Sequence, residues 1–427
     1  MFFDILNMFV ILKVSLNKNM LCIIDTITNI NKKKYIKKGT KDFYLITLAL
    51  FFAGFSVFSI LYSVQPIFPL FSKCFHLTPF QSSLSLSSAT ITMACGMLFT
   101  GSLSDYYGRK LILCSSLLLA SILTMICSIC HSWKFIVFIR ILTGFTLSGV
   151  TNVAMIYLTE EMHVHVLPIS IALYISGNTI GGISGRMTTN ILSQLFSWNI
   201  ALFVVGLFSF FSSILSFYCL PTSKNFQFKT LDIKKLFRFL FFQCKDIVLL
   251  KLFIIGFIIM GVFVTVFNFI GYRLIASPFF LNQSIIGLIS LIYFIGVYTS
   301  VQTGFLVKKY NKILLLYIFL ILMMIGFLIT IFNIICLIII GLIFFAAGFF
   351  SLHSLISCWL GNQSTLLKGY ASSWYLFFYY LGGSIFGSIG GYIWLLGGWS
   401  MISIFVIFLL MVCFFLVKTI SSFKDNF

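Results

Sequence analysis

Twelve long apolar stretches, separated by short polar segments, constrain this chain more than any other feature of its sequence. Each is about 20 residues long, the length at which an α-helix crosses the hydrocarbon core of a bilayer. Only 9% of the 427 residues are charged, against about 25% in a soluble domain. Because backbone groups inside a bilayer must be paired within their own segment, the sequence predicts an all-α polytopic membrane protein. The predicted transmembrane helices are Phe43–Val64, Ser83–Leu103, Leu111–Cys130, Phe135–Leu158, Ile169–Thr188, Asn199–Leu220, Leu252–Tyr272, Ile285–Leu306, Ile313–Phe332, Cys336–Cys358, Ala371–Leu396 and Trp399–Val417.

The formal net charge of +19 is distributed in a way that orients the chain in a membrane. All but five of the 28 lysines and arginines fall on one side of the predicted spans, and the exceptions are Lys73, Lys134, Arg140, Arg186 and Arg273. This bias predicts that both termini are cytoplasmic. The charge then orients the protein and meets anionic lipid of the bilayer, and nucleic acid is not predicted as a partner.

The longest polar break divides the spans six and six. It contains six lysines and arginines between Pro221 and Lys251, and Leu231 to Phe242 could form an amphipathic helix on the inner surface. The predicted units are a basic cytoplasmic extension (1–42), a six-helix half (43–220), a basic cytoplasmic loop (221–251), a second six-helix half (252–417) and a cytoplasmic tail (418–427).

The polar segment Gly101-Ser-Leu-Ser-Asp105-Tyr-Tyr-Gly108-Arg109-Lys110 separates the second and third spans. Gly101 allows close helix approach, and Gly108 permits a tight reversal. Asp105 is a carboxylate that can meet a helix N-terminus or a cation, and Arg109 and Lys110 favour the cytoplasmic side. The segment resembles the Gly-x-Leu-x-Asp-x-x-Gly-Arg-Lys signature of the major facilitator superfamily. That resemblance implies a secondary transporter with two pseudo-symmetric six-helix halves.

A weak internal repeat agrees with two related halves. The segment Gly101 to Lys110 aligns with Gly304 to Lys312, and Tyr174-Ile-Ser-Gly-Asn-Thr-Ile-Gly181 aligns with Tyr380-Leu-Gly-Gly-Ser-Ile-Phe-Gly387. Such duplication is expected of this superfamily.

A glycine-rich motif occupies the fifth span. Its spacing flattens one helix face and favours close helix packing. It resembles the glycine signature of proton-linked exporters, except that Asn stands where that signature has Pro. Export and simple helix packing are both open interpretations. The motif residues are Gly177, Asn178, Gly181, Gly182 and Gly185.

The fourth span carries Arg140, four residues before Gly144. A charge inside a spanning helix is costly and usually faces a partner or a water-filled interior. The spacing resembles the fourth-helix signature of drug/proton antiporters, which implies a role in proton transfer. The alternative is a structural arginine whose head reaches the outer headgroups.

The same span ends in Glu160 and Glu161. We expect a gate network at the inner face, in which Arg109 pairs with one of these carboxylates. The family resemblance implies that Asp105 faces the start of the eleventh span, from Tyr370 to Ser373.

None of the nine acidic residues lies at mid-membrane depth. The remaining titratable group there is His353, whose type has an ordinary pKa of about 6.5, and it is a candidate for proton transfer or for simple packing. Other polar residues expected along the substrate pathway are Tyr62, Gln65, Asn152, Asn268, Tyr272 and Ser351.

Several runs, among them Leu61 to Leu70 and Phe267 to Leu274, resemble those of the YnfM-type bacterial inner-membrane transport proteins, in the drug/proton-antiporter-like branch. The resemblance implies a monomeric multi-pass transporter of a small solute, with proton-linked efflux favoured. Facilitated uptake and a non-transporting receptor are the alternatives. We expect no enzyme activity, catalytic residue, cofactor or metal, because no nucleotide-binding motif or clustered catalytic groups occur.

Overall fold

The computed structural model describes residues 35–226, 228, 246–361 and 368–424, without the side chains of 361, 368–370, 372, 373 and 421–424. Long α-helices dominate this part of the chain. The final helix, Lys368–Lys424, is interrupted at Gly397 and Gly398, whose backbone angles are not helical; we treat it as α11 (368–396) and α12 (399–424). The preceding helices are α1 (Lys41–Tyr62), α2 (Pro79–Tyr107), α3 (Arg109–Ser128), α4 (Trp133–Glu161), α5 (Leu167–Leu195), α6 (Trp198–Cys219), α7 (Ile247–Ile275), α8 (Gln283–Lys309), α9 (Lys312–Ile329) and α10 (Ile335–Gly361).

Ten stretches among the described residues are long and apolar enough to cross a membrane. One of them, Trp374–Ile420, is 47 residues long and contains most of α11 and α12. The fifth helix, α5, is not among the ten, because its glycines, serines, threonines and asparagine lower its hydropathy. Adding α5, and counting the stretch Trp374–Ile420 as the two helices α11 and α12, brings the total to twelve. The predicted twelve-helix fold is confirmed.

Polar side chains start several of these helices. Thr78 and Gln81 form a reciprocal capping box at α2, and Ser197 accepts from the backbone N–H of Ile200 at α6. Asp246 accepts two backbone N–H groups at the start of α7. These caps satisfy backbone donors that have no partner inside the helix.

The polar segment between α2 and α3 is shorter than predicted. Helix α2 continues through Asp105 to Tyr107, and α3 begins at Arg109, so only Gly108 lies outside a helix. Gly108 has φ +97°, a backbone conformation that glycine adopts without steric cost. The reversal therefore depends on one residue, and the charged groups on either side are carried by rigid helix ends.

Several other helices extend beyond the predicted spans. Helix α7 starts at Ile247, inside the predicted loop, and α12 continues to Lys424, inside the predicted tail. The extension of α12 is largely polar, so hydropathy does not record it, whereas the extension of α7 is apolar and is separated from the predicted span only by Lys251. Residues 1–34 of the extension and the predicted amphipathic helix at 231–242 lie outside the described residues.

Glycines bring α1 and α5 into close contact. A Cβ at Gly177, Gly181 or Gly185 would collide with the backbone of α1, at Phe51, Phe55 and Ser59 respectively. The second half repeats this arrangement, because a Cβ at Gly382 of α11 would collide with the carbonyl oxygen of Phe257 in α7. The glycine motif of the fifth span is thus a packing surface, as small residues are in membrane helices generally.

The two halves are joined mainly at one end. We call the end that carries Gly108 the hairpin end, and the opposite end the far end. Among the described residues, the hydrogen bonds between halves all lie in the part of the bundle nearer the far end. They join Gln65 to Asn268, Tyr272 to Ser72 and Ser82, Thr90 to Ser384, Ser87 to Ser388, Gln194 to Ser284, and Pro66 to Gln283.

Candidate functional site

A small cavity lies between the halves, just below the contacts that close the far end. Its volume is about 40 Å³, and it combines apolar walls with a few polar groups. The first half contributes part of α5 and the short helical segment 65–74 that follows α1, and the second half contributes α7 and α8. The lining residues are Gln65, Pro66, Pro69, Arg186, Asn190, Phe267, Asn268, Ile270, Gly271, Ile286, Ile289 and Ser290.

Arg186 is the only charged residue that lines this cavity in the described part of the chain, and it is 8% exposed. Its Nε donates to Gln65 Oε1 at 2.7 Å, and its Nη1 donates to the carbonyl of Gly182 at 2.8 Å. The guanidinium carbon lies 4.0 Å from the ring centre of Tyr62 and 4.6 Å from that of Tyr293. Two aromatic faces therefore hold the cation in place by cation–π attraction.

Gln65 connects this arginine to the other half. Its Nε2 donates to Asn268 Oδ1 at 2.7 Å, and Asn268 in turn donates to the carbonyl of Gly387 at 3.4 Å. A continuous set of hydrogen bonds thus runs from α5 through Gln65, in the short helical turn after α1, to α7 and α11. Any change in how the halves meet must break or rearrange it.

Two further polar groups near Arg186 have no hydrogen-bond partner among the described residues. They are Oδ1 of Asn190, a residue that is 2% exposed and lines the cavity, and the hydroxyl of Tyr293. A buried polar atom without a partner costs about 1–3 kcal/mol. Such atoms beside a cavity are expected where a ligand supplies the missing partner.

Two other buried arginines, Arg140 and Arg273, are compensated by carbonyls at helix ends. Arg140 is 2% exposed, and its three nitrogens donate to the carbonyls of Ser85, Ile60 and Leu61 at 2.8–3.1 Å. Ile60 and Leu61 end α1, where the helix dipole is negative. Arg140 therefore holds α1, α2 and α4 together, does not line the cavity, and does not reach the outer surface as the structural alternative predicted.

Arg273 does the same in the second half. It donates to the carbonyls of Thr330, Ile331 and Phe332 and to Asn333 Oδ1 at the end of α9. The two arginines occupy comparable roles in the two halves, each capping the last carbonyls of a neighbouring helix.

Arg109 is the centre of an ionic cluster at the hairpin end. Its side chain is 2% exposed and forms ion pairs with Asp105 at 2.5 Å and Glu160 at 2.7 Å. It also donates to Ser104 Oγ at 2.5 Å and to the carbonyl of Gly101 at 3.3 Å. The cluster joins the ends of α2, α3 and α4 within the first half. Lys110 points away from it, with its ammonium 5.0 Å from the ring centre of Phe217.

Glu161 has different partners from Glu160. Its carboxylate accepts from Ser223 Oγ at 2.5 Å and from the backbone N–H of Asn225 at 2.8 Å, so it holds the segment that follows α6. Asp105 was expected to face the start of α11; its described partner is Arg109, and the side chains of Tyr370, Ser372 and Ser373 lie outside the described residues.

His353 lies among aromatic rings of α10 and α11. Its Nδ1 is 2.9 Å from the hydroxyl of Tyr375, and its ring centre is 4.5 Å from that of Tyr379. It is half-buried and does not line the cavity beside Arg186. Tyr375 is thus the described hydrogen-bond partner of His353.

The predicted pathway residues Asn152, Tyr272 and Tyr62 lie in three different parts of the bundle. Asn152 donates to the carbonyl of Met97 at 2.8 Å and joins α4 to α2. Tyr272 hydrogen-bonds across the halves at the far end, whereas Tyr62 stacks on Arg186 beside the cavity. Within the glycine motif, Gly182 lies beside Arg186 and Asn178 faces Gly54 of α1.

The sequence of residues 50–360 matches the family model of the Major Facilitator Superfamily. The chain belongs to this superfamily.

Its relatives and its fold agree with that assignment. An uncharacterised transporter of Buchnera aphidicola subsp. Acyrthosiphon pisum is 54% identical over 93% of this chain and 97% of its own. The inner membrane transport protein YnfM of Escherichia coli K12 is 46% identical over 89% of this chain and 91% of its own. A bacterial homologue of the human lysosomal transporter Spinster, solved in an inward-facing and occupied conformation, has a TM-score of 0.71 at 14% identity and covers 90% of this chain and 98% of its own. The protein is a major facilitator superfamily transporter of the membrane, and not an enzyme.

Sequence reasoning missed Arg186, Asn190 and Tyr293 as members of the site. Arg186 was recognised as one of five cations off the cytoplasmic side but not as a pathway residue. Its position inside a weakly hydrophobic spanning helix was the available signal, since a charge in such a helix marks function by default.

Proposed function

We propose that this transporter moves a small solute out of the cell by alternating access, driven by protons. The observation that carries the alternating-access part is the unequal closure of the two ends. The described hydrogen bonds between the halves lie near the far end, where they join Gln65 to Asn268, Ser72 and Ser82 to Tyr272, and Gln194 to Ser284. The cavity beside Arg186 lies under the closed end, where a solute entering from the hairpin end would stop.

The proposed orientation places the hairpin end in the cytoplasm. The lysines and arginines of the polar connections are concentrated there, and the far end carries Lys73 and Lys134. The structure is then an inward-facing state. Reporter fusions after Lys235 and after Asn426 should both give cytoplasmic signals, and a periplasmic signal at either position would contradict the six-plus-six topology.

We propose that the cluster around Arg109 acts as a gate element. Because Arg109 already pairs with Asp105 and Glu160 inside the first half, the helix ends move as one unit. In the outward-facing state this unit would meet the second half, and Asp105 would be free to bind the start of α11.

Proton coupling has two candidate sites. His353 with Tyr375 is the titratable pair nearest the middle of the membrane, and the carboxylates of Asp105, Glu160 and Glu161 are the alternative at the hairpin end. Either site could link protonation to the closing of the hairpin end, because both adjoin helices that must approach one another there.

Facilitated uptake is the second candidate function. It is favoured by the position of the acids: every acidic residue that the structure describes lies at the hairpin end. Many proton-driven carriers need an acid in the membrane interior, and a uniporter does not. The described acids are Asp42, Asp105, Glu160, Glu161 and Asp246.

Metabolite profiling separates these functions even for an unidentified solute. Cells expressing the chain are compared with cells expressing Asp105→Asn, and small molecules are measured in the medium and in the cytosol. Proton-driven efflux predicts solutes enriched in the medium, and a protonophore should abolish that enrichment. Enrichment that persists with the protonophore would instead indicate uniport, and depletion from the medium would indicate uptake.

A further inference from the structure

The interior of the described bundle contains an imbalance of charge. Three arginines, Arg140, Arg186 and Arg273, are at most 8% exposed, and no carboxylate among the described residues lies within ion-pair distance of any of them. A buried charge is tolerated only when it is compensated. The way each of these cations is compensated therefore indicates its role.

Arg140 and Arg273 are compensated by the carbonyls at the ends of α1 and α9. Arg186 donates to no helix-terminal carbonyl among the described residues. Its two hydrogen bonds go to a neutral amide and to a carbonyl within its own helix, and they use Nε and Nη1. Nη2 has no hydrogen-bond acceptor among the described residues, so one side of the guanidinium remains available.

The surroundings of Arg186 suit an anion with an apolar body. Asn190 lines the same cavity, and its N–H₂ group can donate to an anion, whereas its amide oxygen, which has no described partner, can accept from a hydroxyl or amide on the body of the solute. The remaining walls are apolar, from Phe267, Ile286 and Ile289. A guanidinium pairs bidentately with carboxylates and phosphates. Because Arg186 is the only cation that lines this cavity among the described residues, the single charge of a carboxylate matches it better than the higher charge of a phosphate.

We propose that Arg186 is the anchor of the substrate site and that the substrate is a small carboxylate with an aromatic or other apolar body. This inference rests on the proposed function and specifies the class of its solute. Gln65 joins Arg186 to Asn268 of the other half. A carboxylate bound at Arg186 competes for the donors that hold Gln65, and it thereby weakens the connection between the halves that must break for the far end to open.

The test measures binding to the purified full-length protein in lipid nanodiscs, with no ion gradient. The probes are benzoate and nicotinate, each paired with its neutral amide, benzamide and nicotinamide, and benzylamine serves as the cationic counterpart. Isothermal titration gives Kd for each. The wild-type protein should bind at least one carboxylate about tenfold or more tightly than its amide, and benzylamine should not bind.

Three variants locate that preference. Arg186→Gln should remove it, and Arg186→Lys should weaken it because a fork of donors becomes a point charge. Lys134→Gln is the matched control, since it removes one exposed cation at the far end, and it should bind as the wild-type protein does. Because Arg186→Lys keeps the buried charge, it provides the test if Arg186→Gln does not fold.

Equal binding of carboxylates and amides, or no binding of any probe, would overturn the proposal, as would an unchanged preference in Arg186→Gln or Arg186→Lys. These results concern binding alone. If the binding test fails, alternating access and efflux are still decided by the metabolite experiment. If the metabolite experiment fails, the binding test can still show a carboxylate-binding site.

Discussion

Closure of the far end depends in part on one phenolic hydroxyl. Tyr272 of α7 shares hydrogen bonds with Ser72 at 2.9 Å and with Ser82 at 2.8 Å, and both serines belong to the other half. The variant Tyr272→Phe removes the hydroxyl and retains the ring, which packs against Phe269 and Trp394. The change therefore acts on the contact between halves and leaves the packing of α7 nearly as it is.

The expected effect follows from two hydrogen bonds. Each contributes about 0.5–1.5 kcal/mol net, and both exist only while the far end is closed. When the far end is open, the same hydroxyl hydrogen-bonds to water, so removing it does not change the stability of the open state. Tyr272→Phe should thus shift the equilibrium toward the open far end by about 1–3 kcal/mol, which is about 5- to 150-fold.

Double electron–electron resonance measures this shift. Nitroxide labels at Lys73 and Asn282, both exposed and on opposite halves at the far end, report the separation of the halves on a cysteine-depleted background. Tyr272→Phe should increase the population at long distance. Tyr392→Phe is the control, because Tyr392 is 61% exposed on the outside of α11. An unchanged distance distribution in Tyr272→Phe, or the same change in the control, would refute the assigned role of this contact.

Three further predictions concern other parts of the molecule. Asp105→Asn should slow transport while yield and thermal stability stay near the wild-type values, because Arg109 keeps its pair with Glu160; normal turnover would remove the gate argument. Gly181→Val should lower the melting temperature by several degrees or prevent assembly, since even a Cβ collides with the carbonyl oxygen of Phe55; Gly304→Val, with no neighbour within 4 Å of its Cβ, is the control. His353→Gln should lose transport against a gradient but keep downhill exchange, measured as counterflow in proteoliposomes, and intact concentrative transport would move the proton to the carboxylates of the hairpin end.

The architecture was predictable because hydropathy is a local property. A stretch of about 20 apolar residues is committed to a membrane helix whatever its neighbours are. The same holds for the reversal at Gly108, where a single residue type permits the required backbone angle. Predictions failed at helix ends, such as α12 beyond Val417, because a polar helix end carries no hydropathy signal.

The site was not predictable in the same way. Arg140 and Arg186 look alike in the sequence, since each is a lone arginine in a spanning helix that also contains glycines. What separates them is the set of groups they meet. Arg140 meets carbonyls at the end of α1, some 80 residues earlier in the chain, and Arg186 meets Gln65, 121 residues earlier.

The sequence alone thus determined the membrane class, the number of helices and the family, because these depend on composition, periodicity and a contiguous motif. Only the tertiary structure decided which buried cation faces a cavity and which caps a helix. The compensation of a buried charge is settled by neighbours brought together from distant segments, as when Gln65 meets Asn268 across 203 residues, and no local pattern records that encounter.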